Sequence, residues 1–325
     1  MELKKTKNII NLNYFRKKLG TKNIISIVFV LLRMLIIISV GYIILFPLLV
    51  KLPTSFMTEA DLLNQRVKWI PRTFTFSNFK LAWRYLSFPR AFLNSFTFAS
   101  IISILQAATA ALVGYGFARF NFRGKNILFM MVILTLVVPP ETILIPLYLN
   151  FRYFDLYGLL GDKSINLLKS IWPFVLPALT GTGMRNGLFI FIMRQFFKGM
   201  PKELEEAAYV DGAGRFKTFS RVMLPGAGPA ILIVFLFGFV WIYNDTQFVS
   251  TFWGDLELLS LNLSNISNFI NSEDFEMMGY FTYGPYTISI LLNACMLLFI
   301  TPLIIMYIFL QRYFVESVQR TGIVG

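Results

Sequence analysis

Residues 198–225 read KGMPKELEEAAYVDGAGRFKTFSRVMLP, a polar stretch with basic ends set between two apolar runs. Pro201 stands where a helix would begin, and Glu203, Glu205 and Glu206 follow in its first turn. Proline at the start and acids near the positive end of the helix dipole both favour a helix N-terminus. Leu204, Ala207 and Ala208 share one face at i, i+3 and i+4. Gly212 and Gly214 can end the helix, because glycine enters the left-handed region without a Cβ clash. A second helical run over Arg215–Met223 is expected to stop at Pro225. The stretch therefore predicts helix, glycine break, helix.

The sequence around it is membrane-like. Hydrophobic residues make up 56% of the 325 and charged residues 14%, against about 25% charged in a soluble domain. The apolar residues come in blocks long enough to cross a bilayer. The first expected span lies within Ile24–Val50, with Arg33 interrupting it, so that Met34–Val50 crosses and the preceding residues form an interfacial helix. The second runs over about 92–117. The third, over about 126–150, carries Pro139-Pro140 and Pro146, which break helical hydrogen bonds. The fourth lies within Ile171–Phe197, the fifth over about 228–243 and the sixth over about 287–310. Gly181, Gly183 and Gly187 in the fourth are expected to form a close-packing face.

An even number of spans puts both termini on one side. Residues 1–23 hold seven bases (Lys4, Lys5, Lys7, Arg16, Lys17, Lys18, Lys22) against Glu2, which places that side in the cytoplasm. The last external loop, about 244–285, holds Asp245, Asp255, Glu257, Glu273, Asp274 and Glu276 and neither Lys nor Arg. The segment 51–91 breaks the charge rule with Arg66, Lys68, Arg72, Lys80, Arg84 and Arg90. The expected fold class is an all-α polytopic membrane protein of six transmembrane helices. It divides into a basic cytoplasmic or interfacial segment (1–33), a transmembrane domain (34–310) with a cytoplasmic loop at 198–226, and a cytoplasmic tail (311–325). The N-terminus does not read as a simple cleaved signal, since no small-residue site follows the first apolar run.

Several chemistries are excluded. The chain has no histidine, which removes His-dependent metal sites and Ser-His-Asp catalysis. Its one cysteine, Cys295, cannot form an intrachain disulfide. No phosphate-binding GxxxxGK[ST] loop is present; Gly124-Lys125 is followed by Asn126 and has Arg119 in place of the upstream glycine. Any ATP must be bound by another chain. The net charge of +13 flanks apolar blocks and reads as membrane orientation and lipid contact, without a nucleic-acid motif. No cofactor and no metal is expected on this chain.

Glu206-Ala207-Ala208, three residues, Gly212, nine residues and then Val222-Met223-Leu224-Pro225 resembles the EAA loop of ABC-importer permeases, with Val222 where the family has Ile. The text around it is similar to the carbohydrate branch and to the smaller maltose-importer permease. The matching runs are Ile190–Phe197, Asp211-Gly212-Ala213, Phe117-Ala118-Arg119 with Phe122-Arg123-Gly124, Leu144–Tyr148 and Gln311–Val315. The resemblance covers the chain from about residue 74 onward. It implies the type I importer fold in a bacterial cytoplasmic membrane. The implied partners are a second permease subunit, two ATPase subunits and an external binding protein that delivers a carbohydrate, an oligosaccharide by preference. It implies that Glu206, Ala207, Ala208, Gly212, Leu224 and Pro225 form the coupling helix seated in an ATPase cleft, and that hydrolysis is the partner's. The end Thr321–Gly325 lacks the lysine of the family's tail, with Arg320 nearby as a substitute. Tyr283 and Gly284 fall where relatives touch the binding protein. Permeases for peptides or polyamines, and a non-transport membrane scaffold, stay open as alternatives.

Two charges fall inside expected spans. Arg185 lies in the fourth and Glu141 in the third, and a charge at mid-bilayer costs roughly 2.5–3.5 kcal/mol, so neither should face lipid. Either they pair inside the bundle, or Arg185 lines the pore and favours an acidic sugar.

Overall fold

The computed structural model describes residues 21–155, 164–266 and 285–322. Its contacts divide the chain into two units, 1–74 and 75–325. The described residues are helical or irregular, apart from one isolated antiparallel bridge, Phe154 to Ile165.

The first unit is dominated by α1 (Thr21–Thr54), 34 residues long. It runs through Arg33 as one continuous helix, so the residues expected at the interface and those expected to cross share a single helical run. The physical reason is local. Arginine is a good helix former, and its charge leaves the backbone ladder intact while the long side chain reaches outward. Residues from Ile27 to Leu45 are exposed on every face except the half-buried Gly41. A helix that is apolar all round needs an apolar solvent. After it comes α2 (Glu59–Leu63), where buried Asp61 accepts the Thr73 N–H at 3.1 Å. Phe56 stacks on Phe74 with ring centroids 4.6 Å apart.

The second unit contains α3 (Ser77–Tyr85), α4 (Phe88–Arg119), α5 (Lys125–Val137), a 3-10 turn (Pro140–Ile143) and α6 (Leu144–Arg152). Next come α7 (Trp172–Thr180), α8 (Asn186–Gly199), α9 (Glu203–Val210), α10 (Arg215–Gly226) and α11 (Gly228–Asn244). The series ends with α12 (Gln247–Trp253), α13 (Leu259–Ser264) and α14 (Pro285–Gly322). The axis of the unit is α4. Its buried residues recur as Ala91, Ser95, Ala99, Ser103, Ala107, Ala110 and Gly114, a stripe of small side chains that lets neighbouring backbones approach. A Cβ on Gly114 would lie 2.7 Å from Met193 Cβ and 2.9 Å from the Arg194 backbone nitrogen. Helices α8 and α11 pack along this stripe.

Two of the expected spans, the third and the fourth, are broken rather than straight, and a further bend lies just before the fifth, which is the single helix α11. Between α5 and α6 the axis turns by 98° at Pro139-Pro140, as two missing N–H donors require. Between α10 and α11 it turns by 74° at Ala227, just before Pro229. The run read as one fourth span separates into α7 and α8. Gly181 (φ +75°) ends α7, and the N–H groups of Gly181, Thr182 and Gly183 all converge on the Pro177 carbonyl. Gly181 and Gly183 form the break and also pack closely on α4, where their Cβ atoms would lie 3.3 Å from Thr109 Cγ2 and 3.2 Å from Gln106 Nε2. Gly187 packs more tightly still: its Cβ would lie 2.8 Å from the Val132 carbonyl oxygen on α5.

At the end distant from α9, the loop acids meet bases from elsewhere in this unit. Glu257 pairs with Arg90 at 3.2 Å and Asp255 with Lys169 at 2.6 Å. Backbone and polar contacts join the same segments: Leu259 N–H to Ser95 Oγ at 2.9 Å, and Asn262 Nδ2 to the Leu86 carbonyl at 2.9 Å. Arg90, one of the bases that broke the charge rule, is thus a partner for an acid of the last loop.

Candidate coupling surface and cleft

Helix α9 begins at Glu203 with Glu203, Glu205 and Glu206 in its first turn. It ends where Gly212 takes φ +76° and the Gly212 and Ala213 N–H groups bond the Tyr209 and Ala208 carbonyls at 3.0 and 2.9 Å. This is a left-handed helix cap, which only glycine makes without strain. A Cβ at Gly212 would touch nothing within 4 Å, so the requirement is conformational rather than steric. Gly214 then opens α10, and the Thr218 hydroxyl bonds its carbonyl at 3.2 Å. The run does not stop at Pro225. It passes through a π-turn, Phe219–Met223, and Pro225 enters the short helical turn Leu224–Gly226, with the bend deferred to Ala227. A proline in the first turn of a new helical segment loses no bond.

The faces of α9 differ from those expected. Ala208 is buried, but Leu204, Glu206 and Ala207 are exposed. Glu205 shares the inner face with Ala208, as i, i+3 spacing dictates. Its carboxylate lies 3.6 Å from Arg119 Nε, and the two side chains are only 11% and 7% exposed. Arg119 Nη2 also donates to the Met200 carbonyl at 2.7 Å. Around this pair Tyr115 packs on Phe120, Phe197 and Phe219 with centroid distances of 5.5, 5.4 and 4.8 Å. The coupling loop is therefore clamped to the end of α4. What projects outward is Glu206, Ala207, Leu204, Val210 (88% exposed) and Phe216 (77%). Half-buried Leu224 and exposed Pro225 sit at the end of α10. The sequence reading missed Glu205, although its place three residues before Ala208 was the available signal.

A cleft of about 310 Å³ lies where the broken spans meet. Its walls are mainly apolar, and its polar lining is Gln106, Thr135, Thr182, Arg185 and Asp245. Gln106 spans the bundle to the Met184 carbonyl at 3.1 Å, and its Oε1 has no hydrogen-bond partner among the described residues. Asp245 accepts the Phe248 N–H at 3.1 Å and so anchors the start of α12. Burial pushes its carboxyl up to about 6, against the opposing pull of the backbone N–H groups. Arg185 (φ +63°) starts α8 with its guanidinium 4.4 Å from the Trp241 ring centroid. Arg185 and Glu141 do not pair among the described residues. Glu141 sits exposed in the 3-10 turn at the α5–α6 bend. The break before α8 turns Arg185 onto an aromatic face, where a cation is stabilised without an acid. Tyr283 and Gly284 lie outside the described residues.

Long apolar helices, broken spans around a polar-lined cleft and a clamped helical loop with an exposed face define a polytopic membrane transport subunit. Residues 109–320 match the family model described as binding-protein-dependent transport system inner membrane component, and the chain belongs to that family. It is 31% identical to the osmoprotective compounds uptake permease protein GgtD of Synechocystis sp., over 87% of this chain and 88% of that one. It is 26% identical to the melibiose/raffinose/stachyose import permease protein MelC of Bacillus subtilis, over 86% of this chain and 91% of that one. The fold matches a chain in the crystal structure of a bacterial ABC transporter involved in the import of the acidic polysaccharide alginate. The TM-score is 0.67 at 21% identity, covering 88% of this chain and 96% of that one.

Proposed function

We propose that this chain is the permease subunit of an ATP-driven importer that carries an oligosaccharide across the cytoplasmic membrane. The observation that carries the reading is the exposed face of the α9–α10 loop, clamped from behind by Arg119 and Glu205, with Glu206, Ala207 and Gly212 in the EAA spacing. Relatives named for melibiose, raffinose and stachyose, for arabinooligosaccharides and for diacetylchitobiose support a carbohydrate cargo. The reading of six crossings is supported by three straight candidate spans, the bent α5–α6 pair, α11 beyond its bend at Ala227 and the divided α7–α8 pair. With six, both termini and the coupling loop share the cytoplasmic side.

In this reading two ATPase subunits receive the loop and a second permease completes the pore. An external binding protein presents the sugar on the far side. ATP-driven closure of the ATPases moves α9, and the clamp passes that motion to α4, the helix on which α8 and α11 pack. Glu206→Lys, or Gly212→Val, which places a β-branched residue at φ +76° at a cost of about 1–3 kcal/mol, should abolish binding-protein-dependent uptake in the reconstituted complex. Normal membrane insertion is expected in both. Full uptake in both variants would remove the coupling assignment.

Arg185 supports a narrower second reading, a carboxylated sugar, because it lines the cleft and forms no ion pair with a carboxylate among the described residues. Arg185→Gln should then depress uptake of a uronate-containing oligosaccharide several-fold more than that of its neutral counterpart. Equal effects on both would leave only the neutral-sugar reading.

A further inference from the structure

A second concavity, of about 610 Å³, lies at the coupling-loop end of the bundle. Its lining includes Phe117, Asn121, Lys125, Ile127, Arg194 and Lys198, and each charged residue in the lining is a base. Lys125 opens α5, whereas Arg194 and Lys198 stand four residues apart on α8 and so share a face. Lys125 is repelled by both of them. None of the three forms an ion pair among the described residues.

Their existing contacts leave positive charge uncompensated. Lys125 Nζ donates to the Phe120 carbonyl at 2.8 Å. Arg194 lies over Phe129, 4.0 Å from the ring centroid, and donates to Gln195 Oε1 at 3.3 Å. Its Nε is buried without an acceptor. The end of α5 adds to the field: Gly124 precedes it at φ +81°, no side chain caps it, and the helix dipole is positive there. Convergence of three like charges raises the energy of the folded chain unless an anion enters.

The surface next to the pocket says which anion. Helix α5 has no buried residue. Ile127, Met130, Leu134 and Val137 are 65, 73, 60 and 73% exposed, so an apolar strip runs from the cations along the helix. A small free anion would need only the cations. An amphiphile uses both parts, with its head among the bases and its chain on the strip. Lys198 is two residues from Met200, whose carbonyl Arg119 holds, so the pocket lies at the level where the bundle meets the coupling loop. That is the depth of lipid headgroups in a chain that spans the membrane, where each base near an anionic surface is worth about 1 kcal/mol.

We propose that Lys125, Arg194 and Lys198 bind the phosphate of an anionic phospholipid whose acyl chain lies along α5. The inference rests on membership of a membrane-spanning family and is independent of the transported solute.

The test uses the intact transporter complex in detergent, with bound lipid counted by native mass spectrometry. Dioleoylphosphatidylglycerol and dioleoylphosphatidylcholine are titrated separately. The wild type should retain the anionic lipid in preference to the zwitterionic one, and Lys125→Gln/Lys198→Gln should weaken that retention by about fivefold per cation removed. Lys80→Gln/Arg84→Gln, with the same change of charge on α3, should retain it fully. The charge-preserving Lys125→Arg/Lys198→Arg should also retain it, which separates lost binding from lost folding. Equal retention in the Gln variant, or equal loss in the α3 control, overturns the proposal. So does displacement of the lipid by inorganic phosphate at matched concentration, which would make this a free-anion site. A photo-crosslinker at Asn126 should capture lipid; capture of another subunit instead identifies the face as a protein contact and overturns it too.

Discussion

Arg119 and Glu205 are the most consequential pair of side chains in the coupling loop, because both are nearly enclosed. An enclosed pair is not a large net source of stability, but removing one partner strands the other charge. Arg119→Gln should therefore lower stability by about 3–5 kcal/mol, read as a fall in the thermal midpoint of the purified complex. Glu205→Gln should cost less, since Arg119 keeps the Met200 carbonyl. An apolar double replacement, Arg119→Met/Glu205→Leu, should recover much of the loss while still impairing uptake. An unchanged midpoint in Arg119→Gln would mean that the pair is open to water in the assembled transporter. Legibility differs between neighbours here. Glu206 and Gly212 could be recognised in the sequence because their roles are tied to a local spacing and a local φ. Glu205 escaped because its partner comes from another helix. The sequence leaves Arg185 either paired with Glu141 or lining the pore; what its guanidinium meets is Trp241, a contact that depends on how α11 lies beside α8.

Helices and their breaks follow the same rule. Pro139-Pro140 marked a broken span in advance, because proline acts on its own backbone. The division between α7 and α8 did not, because glycines in an apolar run fit both a packing face and a break. The break comes from the Pro177 carbonyl, which gathers the N–H groups of Gly181, Thr182 and Gly183. The prolines of α10 and α11 show the converse limit, since Pro225 was expected to end a helix that continues to Gly226. At the α4–α8 crossing small residues bring the two backbones together. Gly114→Val should disrupt that crossing, since its Cβ would meet Met193 Cβ at 2.7 Å and the Arg194 nitrogen at 2.9 Å. Overpacking costs about 1–3 kcal/mol, or more where backbone must move. The expected result is a lower yield of folded complex, restored only in part by Met193→Ala, because the backbone contact remains. Full restoration by Met193→Ala would show that the backbones have room to part, and no effect of Gly114→Val would place the helices further apart.

The all-helical, polytopic character of the whole molecule is legible in its apolar blocks, and the course of each span less so, because a bent span and a straight one have the same composition. In the proposed six-crossing arrangement the two ends of the second unit lie on opposite sides of the membrane, with α9 and α10 toward the cytoplasm and the Lys169–Asp255 and Arg90–Glu257 pairs outward. The protein suits a labelling test of this arrangement. Cys295 is its one cysteine, is 0% exposed and can be replaced by Ala for a silent background. A cysteine placed at Val210, which is 88% exposed, should resist a membrane-impermeant maleimide in intact cells and react once the membrane is opened, unless an ATPase subunit covers it. To separate those cases, the ATPase subunits are stripped from inverted vesicles, where Val210→Cys should become fully reactive. A cysteine at Asp255 should show the reverse pattern, reacting in intact cells. Its companion at Lys169 should behave like Asp255→Cys, because the two side chains touch at 2.6 Å. Reaction of Val210→Cys and Asp255→Cys from the same side would leave an odd number of crossings between them impossible, and with it the six-span arrangement and the cytoplasmic position of the coupling loop.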